Sequence, residues 1–393
     1  MPNALVTALI AIVATAIAPD GFHGNRRNVN ELPPPHSPYT LAHETPWPVN
    51  DVENWHPYSF MDGICLLHPR RNEVFFSSWS RGFDKPPQRI DLDAIEADIK
   101  LNLPGYSNVH FEKMLNEKYL IWRIAQNRAD IEYARMAIYD LEDMRIAKIL
   151  ESPEGMEFRF FNLDHVKSRN PNYYPLLFFG EQVPTYDNSG AQTLLGNSRN
   201  IAVAVLNFET LEMDLDYPVR IAENVHTPMG IRSMVLTADR SQVIIDSVNN
   251  RILGFKKGSA EPYVYPKSPE NHSQNYFDCA NNEPFLLAGT DRNDWIDKYN
   301  YLTGEGVRCT RNPNVRGIYE ITISPDDHFA LIRSDGHYLF DLKTMKLLQT
   351  IREPGDGRFA EIFSPCGSEL AIARNGKFSL FKRNAAEPPS ESY

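Results

Sequence analysis

A polar turn followed by a run of apolar β-formers recurs along the chain. "SPDDHFALI" begins at Ser324, and "SPCGSELAI" begins 40 residues later at Ser364. The same pattern, about five polar residues and then a strand rich in Val, Ile, Leu, Phe or Trp, also begins at His68, Met114, Ser168, Thr237 and Cys279. Four of the six steps between successive starts lie between 40 and 46 residues. Self-similarity at this spacing is typical of propellers and solenoids.

Each repeat carries further short strands around this turn. "IYEITI" (318–323) precedes the turn at Ser324, and "YLFDLKTMKLL" (338–348) follows its strand. Four short strands per unit, separated by Gly, Pro, Asn and Asp, are typical of a propeller blade. Because both faces of such a sheet are apolar, one blade needs neighbours to bury it. The sequence therefore predicts an all-β fold, a seven-bladed β-propeller of four-stranded antiparallel blades over residues 58–383.

The seventh unit has too few strands of its own. It provides three strands before the tail "NAAEPPSESY" (384–393), which we expect to be disordered. A Pro-rich linker covers residues 19–57, and within it "YTLAHE" (39–44) has the composition of a strand. We expect this segment, about 38–44, to close the ring as the outer strand of the last blade, because closure removes an exposed sheet edge.

Several dipeptides carry a resemblance to a known superfamily. The pairs Phe340-Asp341, Tyr139-Asp140 and Ile90-Asp91 lie where third strands are expected to end, and Ser-Pro-Asp at 324–326 forms a turn. In these features the chain resembles the WD40/YVTN-type seven-bladed β-propellers, which implies the same architecture. The chain lacks the Gly-His dipeptide and a true Trp-Asp pair, so the Asp-His hydrogen-bond network of that superfamily is not carried over.

The N-terminus contains an uncharged apolar run, "ALVTALIAIVATAIA" (4–18). Fifteen residues are short for a hydrocarbon layer of about 30 Å and suit the apolar region of a signal peptide. Small-x-small cleavage patterns end at Ala16 and Ala18. We therefore predict a signal peptide over residues 1–18, export to the periplasm or the exterior, and no stable membrane span. Because the first three residues lack Lys and Arg, an uncleaved anchor and a cytoplasmic location remain alternatives.

The net charge argues against nucleic acid as a partner, and the cysteine spacing argues against a zinc site. The formal net charge is −11, with 51 acidic and 40 basic side chains. A nucleic-acid-binding protein neutralises phosphates with a basic face, so nucleic acid is not the expected partner. The four cysteines form no CxxC pair and match no common zinc pattern.

Motifs of an enzyme are missing from the sequence. HExxH, a P-loop, GxSxG and a strand-to-helix GxGxxG are absent. Polar residues do lie on the expected inner strands, namely His110, Asp164, His165, Asp278, Glu320 and Glu361. Carboxylates and histidines at a channel mouth are ligands that a hard cation such as Ca²⁺ accepts. An alternative function is therefore a secreted, lactonase-like propeller hydrolase with a divalent cation. The leading prediction has no cofactor and no catalytic residue.

Long loops indicate a binding surface. The connection "SSWSRGFDKPPQ" (77–88), expected after the second strand of blade 1, places Trp79, Arg81 and Phe83 at alternate positions. The corresponding connections of blade 2, which contains Arg128, and of blade 3 (180–200) are also long. Trp and Arg are common in interface hot spots. We predict a non-catalytic scaffold that binds a protein or peptide through the long loops of blades 1–3, which we expect to form one sector of one rim. The predicted binding residues are Trp79, Arg81, Phe83 and Arg128. Alternatively, Trp79 and Phe83 pack back onto their own blade.

Overall fold

The structure is a computed structural model. It describes residues 37–49, 52–68, 72–126, 135–153, 156–158, 165–180, 182–186, 192–198, 200–218, 220–221, 233–247, 251–265, 276–289, 295–311, 317–351, 359–374 and 376–384. The predicted signal peptide, Arg128, Asp164 and the tail from residue 385 lie outside these ranges.

The chain forms a seven-bladed β-propeller of four-stranded, mostly antiparallel blades, as the repeat predicts. The blades are numbered along the chain. Blade 1 consists of β2 (His56–Phe60), β3 (Gly63–His68), β4 (Glu73–Ser78) and β5 (Gln88–Asp91). Blade 2 consists of β6 (Asn108–Met114), β7 (Tyr119–Ala125), β8 (Arg135–Asp140) and β9 (Arg145–Leu150).

Blades 3 and 4 share an irregular inner region. Blade 3 contains β10 (Met156–Phe158), β12 (Tyr173–Gly180), β15 (Asn200–Asn207), β16 (Met213–Asp214) and β17 (Arg220–Ile221). A hairpin of β13 (Gln182–Tyr186) and β14 (Gln192–Ser198) lies between β12 and β15 in the chain. Blade 4 contains β18 (Ser233–Leu236), β19 (Gln242–Ser247), β20 (Arg251–Lys256) and β21 (Tyr263–Val264), with β11 (His165–Ser168) added at its inner edge.

Blades 5 to 7 are regular. Blade 5 consists of β22 (Tyr276–Cys279), β23 (Phe285–Gly289), β24 (Trp295–Asn300) and β25 (Gly306–Arg311). Blade 6 consists of β26 (Glu320–Ile323), β27 (Phe329–Arg333), β28 (His337–Asp341) and β29 (Leu347–Ile351). Blade 7 consists of β30 (Phe359–Phe363), β31 (Glu369–Arg374), β32 (Lys377–Arg383) and β1 (Tyr39–Pro46).

The N-terminal strand closes the ring, which confirms the strand count made from the sequence. Strand β1 pairs antiparallel with β32, from Tyr39 opposite Arg383 to Pro46 opposite Lys377. Tyr39 is 1% exposed and packs in a cluster between blades 6 and 7. The Gln349 side chain of blade 6 accepts from Tyr39 N at 3.1 Å and donates to Tyr39 O at 2.9 Å. The closing strand therefore joins two blades.

The recurring turn has a local chemical cause. The Ser324 hydroxyl accepts a hydrogen bond from Phe329 N at 2.9 Å, and the Ser364 hydroxyl accepts one from Glu369 N at 2.9 Å. Thr237 Oγ1 accepts from Gln242 N at 3.1 Å in the same way. A short polar side chain that binds the backbone in this manner favours a turn over a continued strand. This is why the repeat is visible in the sequence.

In blade 1, the recurring polar turn lies one strand later than the repeat predicts. The polar turn after His68 joins the second and third strands, because β2 and β3 are already joined at Met61 and Asp62. The segment 88–91 is consequently the fourth strand, and Ile90-Asp91 does not end a third strand. Helix α1 (Leu92–Asn102) follows, and Asp91 caps it by accepting from Asp93 N and Ala94 N. The prediction that Ile90-Asp91 ends a third strand was therefore wrong.

The inner strand of blade 3 is divided between two sheets. Strand β10 pairs with the far end of β12, from Met156 opposite Gly180 to Phe158 opposite Phe178. Strand β11 instead pairs in parallel with β18 of blade 4, from His165 opposite Ser233 to Ser168 opposite Leu236. This division directs the side chains of β11 and the following turn towards blades 5 and 6.

Candidate functional site: the central channel

A cavity of about 1160 Å³ lies inside the ring, and all seven blades contribute to its wall. The inner strands β2, β18, β22, β26 and β30 line it, together with parts of β6, β11 and β12. A cavity of this size accommodates a small organic molecule or a few residues of a peptide. The fold therefore places the candidate site at the centre of the ring.

Lys167 on β11 reaches across the channel to blade 6. Its ammonium group lies 2.6 Å from Glu320 Oε1 and 3.8 Å from Asp278 Oδ2. It also donates to the backbone carbonyl of Ile321 and, at 3.2 Å, to Thr322 Oγ1. Because β11 has moved onto blade 4, this lysine can contact two carboxylates on other blades.

Arg169 makes the second contact across the channel. Its guanidinium binds the Asp278 carboxylate through two nitrogens, with Nε 3.0 Å from Oδ1, and donates to Ile323 O at 2.8 Å. The Asp278 side chain is completely buried and also accepts from Ile323 N at 2.8 Å and Cys279 N at 2.9 Å. Burying a carboxylate is costly unless it is paired and hydrogen-bonded, and Asp278 meets both conditions.

Glu320, Arg333 and Glu361 extend these contacts to blade 7. Arg333 lies 3.3 Å from Glu320 Oε2 and 3.7 Å from Glu361 Oε1. His337 Nε2 lies 3.5 Å from Glu361 Oε2. Burial opposes ionisation of Glu361, but the nearby Arg333 and His337 hold the pKa of its carboxyl below its usual value. We call Lys167, Arg169, Asp278, Glu320, Arg333 and Glu361 the channel ion network.

A second pair of carboxylates lies at one mouth of the channel. Glu117 accepts hydrogen bonds from the hydroxyls of Ser78, at 2.8 Å, and Ser80. Asp62 lies nearby, and its Oδ1 is buried without a hydrogen-bond partner among the described residues. Burial and then the negative charge of Glu117 raise the pKa of Asp62 to about 6. Two carboxyl groups with different surroundings therefore lie close together at this mouth.

The loop between β4 and β5 borders the same mouth. Trp79 donates its backbone N–H to Asp62 O at 3.0 Å, and the residue is part of the cavity wall. Arg81 is exposed, with its guanidinium 5.3 Å from the centre of the Phe76 ring. Phe83 is 2% exposed and packs 4.7 Å from the Trp79 ring, in a cluster between blades 1 and 7. Phe83 thus holds the loop in place, Trp79 is half-buried against the same cluster, and Arg81 is the exposed member of the three. Arg128 lies outside the described residues, so its part in the binding prediction stays a prediction.

The strand ends that carry the three long loops do not share one face of the ring. The 79–87 loop follows the third strand of blade 1 and lies beside the turn between β6 and β7, where Glu117 is. The connection between β7 and β8, and the β13–β14 hairpin, follow second strands at the opposite end of their sheets. The expectation of one continuous surface over blades 1 to 3 was therefore wrong, because blade 1 is shifted by one strand.

The residues that the sequence suggested as ligands of a divalent cation differ in their surroundings. Asp278, Glu320 and Glu361 come together, but each has a protein cation beside it. His110 is exposed on β6 and is not part of the cavity wall, and His165 lies in β11. In the part of the chain that the structure describes, no group of three or more His, Cys, Asp or Glu side chains is arranged to hold a metal ion.

The basic residues of the channel ion network, Lys167, Arg169 and Arg333, were not predicted from the sequence. In "HVKSR", Lys167 and Arg169 alternate along an extended segment, so their side chains share a direction. That alternation was a usable signal. Their partner could not be found locally, because Arg169 and Asp278 are 109 positions apart.

No protein-family model matches this chain, and no curated protein matches it significantly in sequence. The fold therefore defines the class, a seven-bladed β-propeller. Across the described ranges, no helix is long and apolar enough to cross a membrane.

Proposed function

We propose that this protein is a non-catalytic β-propeller that binds a protein or peptide partner at the channel mouth bordered by Trp79 and Arg81. The observation that carries the proposal is the double position of Trp79, which lies in the long loop of blade 1 and in the cavity wall. A partner that contacts this loop can extend a segment into the channel.

The chemistry of this mouth suits recognition. Trp79 offers an aromatic surface, Arg81 offers an exposed guanidinium, and buried Phe83 limits the movement of the loop that carries both. A loop that is already ordered loses less entropy when it binds. Superfamily membership of the WD40/YVTN type and export of the chain belong to the same proposal, on the turn motifs and the apolar segment 4–18.

The test is selection from a random dodecamer peptide library displayed on phage, with the full chain immobilised. We expect enrichment on the native protein and its loss in the double variant Trp79→Ala/Arg81→Ala. A matched control is Met144→Ala/Arg145→Ala, which removes an exposed apolar side chain at the end of the turn after β8 and an exposed Arg at the start of β9. Equal enrichment on all three proteins would contradict the proposed site.

A further inference from the structure

Glu361 is a buried carboxylate in the cavity wall with hydrogen-bonding capacity to spare. Its side chain is 2% exposed, and neither carboxylate oxygen accepts a hydrogen bond from the described residues. Among the described residues, Arg333 Nε lies 3.7 Å from Glu361 Oε1, and His337 Nε2 lies 3.5 Å from Glu361 Oε2. Both distances exceed the usual N–H···O range. Since buried polar groups in proteins are nearly always bonded, Glu361 is prepared to accept an N–H donor from the cavity.

The wall as a whole favours a positive ligand. Among the residues that the structure describes, six carboxylate residues line the cavity, namely Asp62, Glu112, Asp278, Glu320, Asp335 and Glu361. Four described lysine or arginine residues line it, namely Lys113, Lys167, Arg169 and Arg333, and Arg123 behind the wall pairs with Glu112 at 2.9 Å. The chain itself carries a formal charge of −11, so the surrounding field has the same sign. A concave site with an excess of one charge concentrates ligands of the opposite charge.

Aromatic rings supply the other part of a cation site. In the part of the chain that the structure describes, eight aromatic residues line the cavity, namely Tyr58, Phe60, Trp79, Tyr174, Tyr276, Tyr319, Phe359 and Phe363. Tyr319 is 44% exposed and lies edge-on to Tyr276, with ring centres 6.4 Å apart. The face of an aromatic ring attracts an organic cation, and its carbon surface covers the attached alkyl chain.

We propose that the channel binds a cationic nitrogen group, an ammonium or a guanidinium, with Glu361 accepting its N–H hydrogen bond and aromatic rings covering its alkyl part. This inference rests on the proposed binding function and names the group that the channel selects. A Lys or Arg side chain of a partner segment presents this chemistry, and so does a free polyamine.

The experiment uses isothermal titration of the full chain with three probes. These are a capped pentapeptide with one central arginine among glycines, the same peptide with neutral citrulline, and spermidine. A charge-assisted hydrogen bond is lost with citrulline, so we expect the arginine peptide to bind about tenfold more tightly or better. Glu361→Gln should abolish this preference. Glu369→Gln, which removes the same charge elsewhere in blade 7, should retain it.

The outcomes separate the two sources of the cation. Binding of spermidine without the arginine peptide would support the cation site and assign a free amine to it. Equal binding of the arginine and citrulline peptides, or no binding of any probe at millimolar concentration, would overturn the inference. Peptides enriched from the dodecamer library would still uphold the proposed function in those cases. If no library peptide is enriched, spermidine binding that depends on Glu361 still supports the cation site.

A second variant covers the case in which Glu361→Gln does not fold. Tyr319 is exposed at the edge of the cavity, so Tyr319→Leu keeps an apolar side chain there but removes the ring. We expect severalfold weaker binding of the arginine peptide with an unchanged melting temperature. Unchanged affinity in Tyr319→Leu, together with equal affinity of native protein for both peptides, would reject the site.

Discussion

Blade 7 and blade 3 both depart from the repeat, but in different places. Blade 7 takes its outer strand from the N-terminus, and every strand of the sheet then has its expected neighbour. Blade 3 keeps its outer part and divides its inner strand, so that β11 pairs with blade 4. One departure lies on the perimeter and the other lines the channel.

The difference shows which part of the ring serves stability and which is free to form a site. The perimeter of blade 7 gains backbone hydrogen bonds and apolar burial around Tyr39. At the inner edge of blade 3, Lys167 and Arg169 are instead brought to carboxylates of other blades. The desolvation cost of a buried ion pair offsets most of its Coulombic attraction, so such pairs add little net stability. We therefore attribute these pairs to fixing the geometry of the channel.

The largest expected effect comes from removing the closing strand. Deleting residues 1–46 removes seven paired positions opposite β32 and exposes the cluster around Tyr39. At about 0.5–1.5 kcal/mol for each hydrogen bond, plus the lost burial, the loss should be roughly 5 kcal/mol or more. Urea unfolding should show aggregation or a much lower midpoint. Deleting residues 1–34 spares β1, and a similar midpoint in both truncations would contradict this role.

A smaller but still large loss of stability is expected from a substitution in the channel. Asp278→Ala leaves the buried guanidinium of Arg169 without its carboxylate. Removing one partner of a buried pair typically costs about 3–5 kcal/mol. Asp143→Ala breaks an exposed pair with Arg145 and should cost about 0–1 kcal/mol. Chemical denaturation of both variants measures the difference, and equal losses would mean that the channel ion network is no more important than a surface pair.

The sequence predicted the perimeter better than the channel, for a physical reason. The turns at Ser324 and Ser364 are made by side chains that bind backbone a few residues away, so their pattern is local. Blade 1 was misread although Asp62-Gly63 is a strong hairpin signal, and Leu92, Ile95 and Ile99 have helical spacing. The hairpin and the helix could both have been recognised from these local signals.

The contacts across the channel could not be predicted in this way. Asp278, Glu320 and Glu361 were recognised as inner-strand carboxylates, but their proximity depends on the closed ring. The division of the blade 3 inner strand also depends on pairing with a strand about seventy residues later in the chain, for which local propensity gives no signal. Site geometry therefore required the tertiary structure.

A moderate stabilisation is expected when Asp62 becomes neutral. The pKa of Asp62 is raised to about 6 in the folded state, from 3.8, so the folded protein holds this proton more tightly than the unfolded chain. The free energy of unfolding therefore falls as the pH rises from about 4 to about 6. Asp62→Asn should stabilise the protein by about 1–3 kcal/mol above about pH 7, with little gain below about pH 4. Melting curves across pH measure this, and a gain that does not depend on pH would contradict the assignment.

The smallest effect is expected from divalent cations, which test the hydrolase alternative. Lys167 and Arg169 already neutralise Asp278 and Glu320, with Lys167 Nζ only 2.6 Å from Glu320 Oε1. A calcium ion would have to displace this ammonium group before it could bind both carboxylates. Calcium at 100 times its dissociation constant would stabilise by about 2.7 kcal/mol, whereas we expect less than about 0.5 kcal/mol from millimolar calcium. Calorimetry in calcium and in EDTA measures the shift. A clear rise in melting temperature with calcium, reversed by EDTA, would favour a metal-dependent propeller over the binding scaffold.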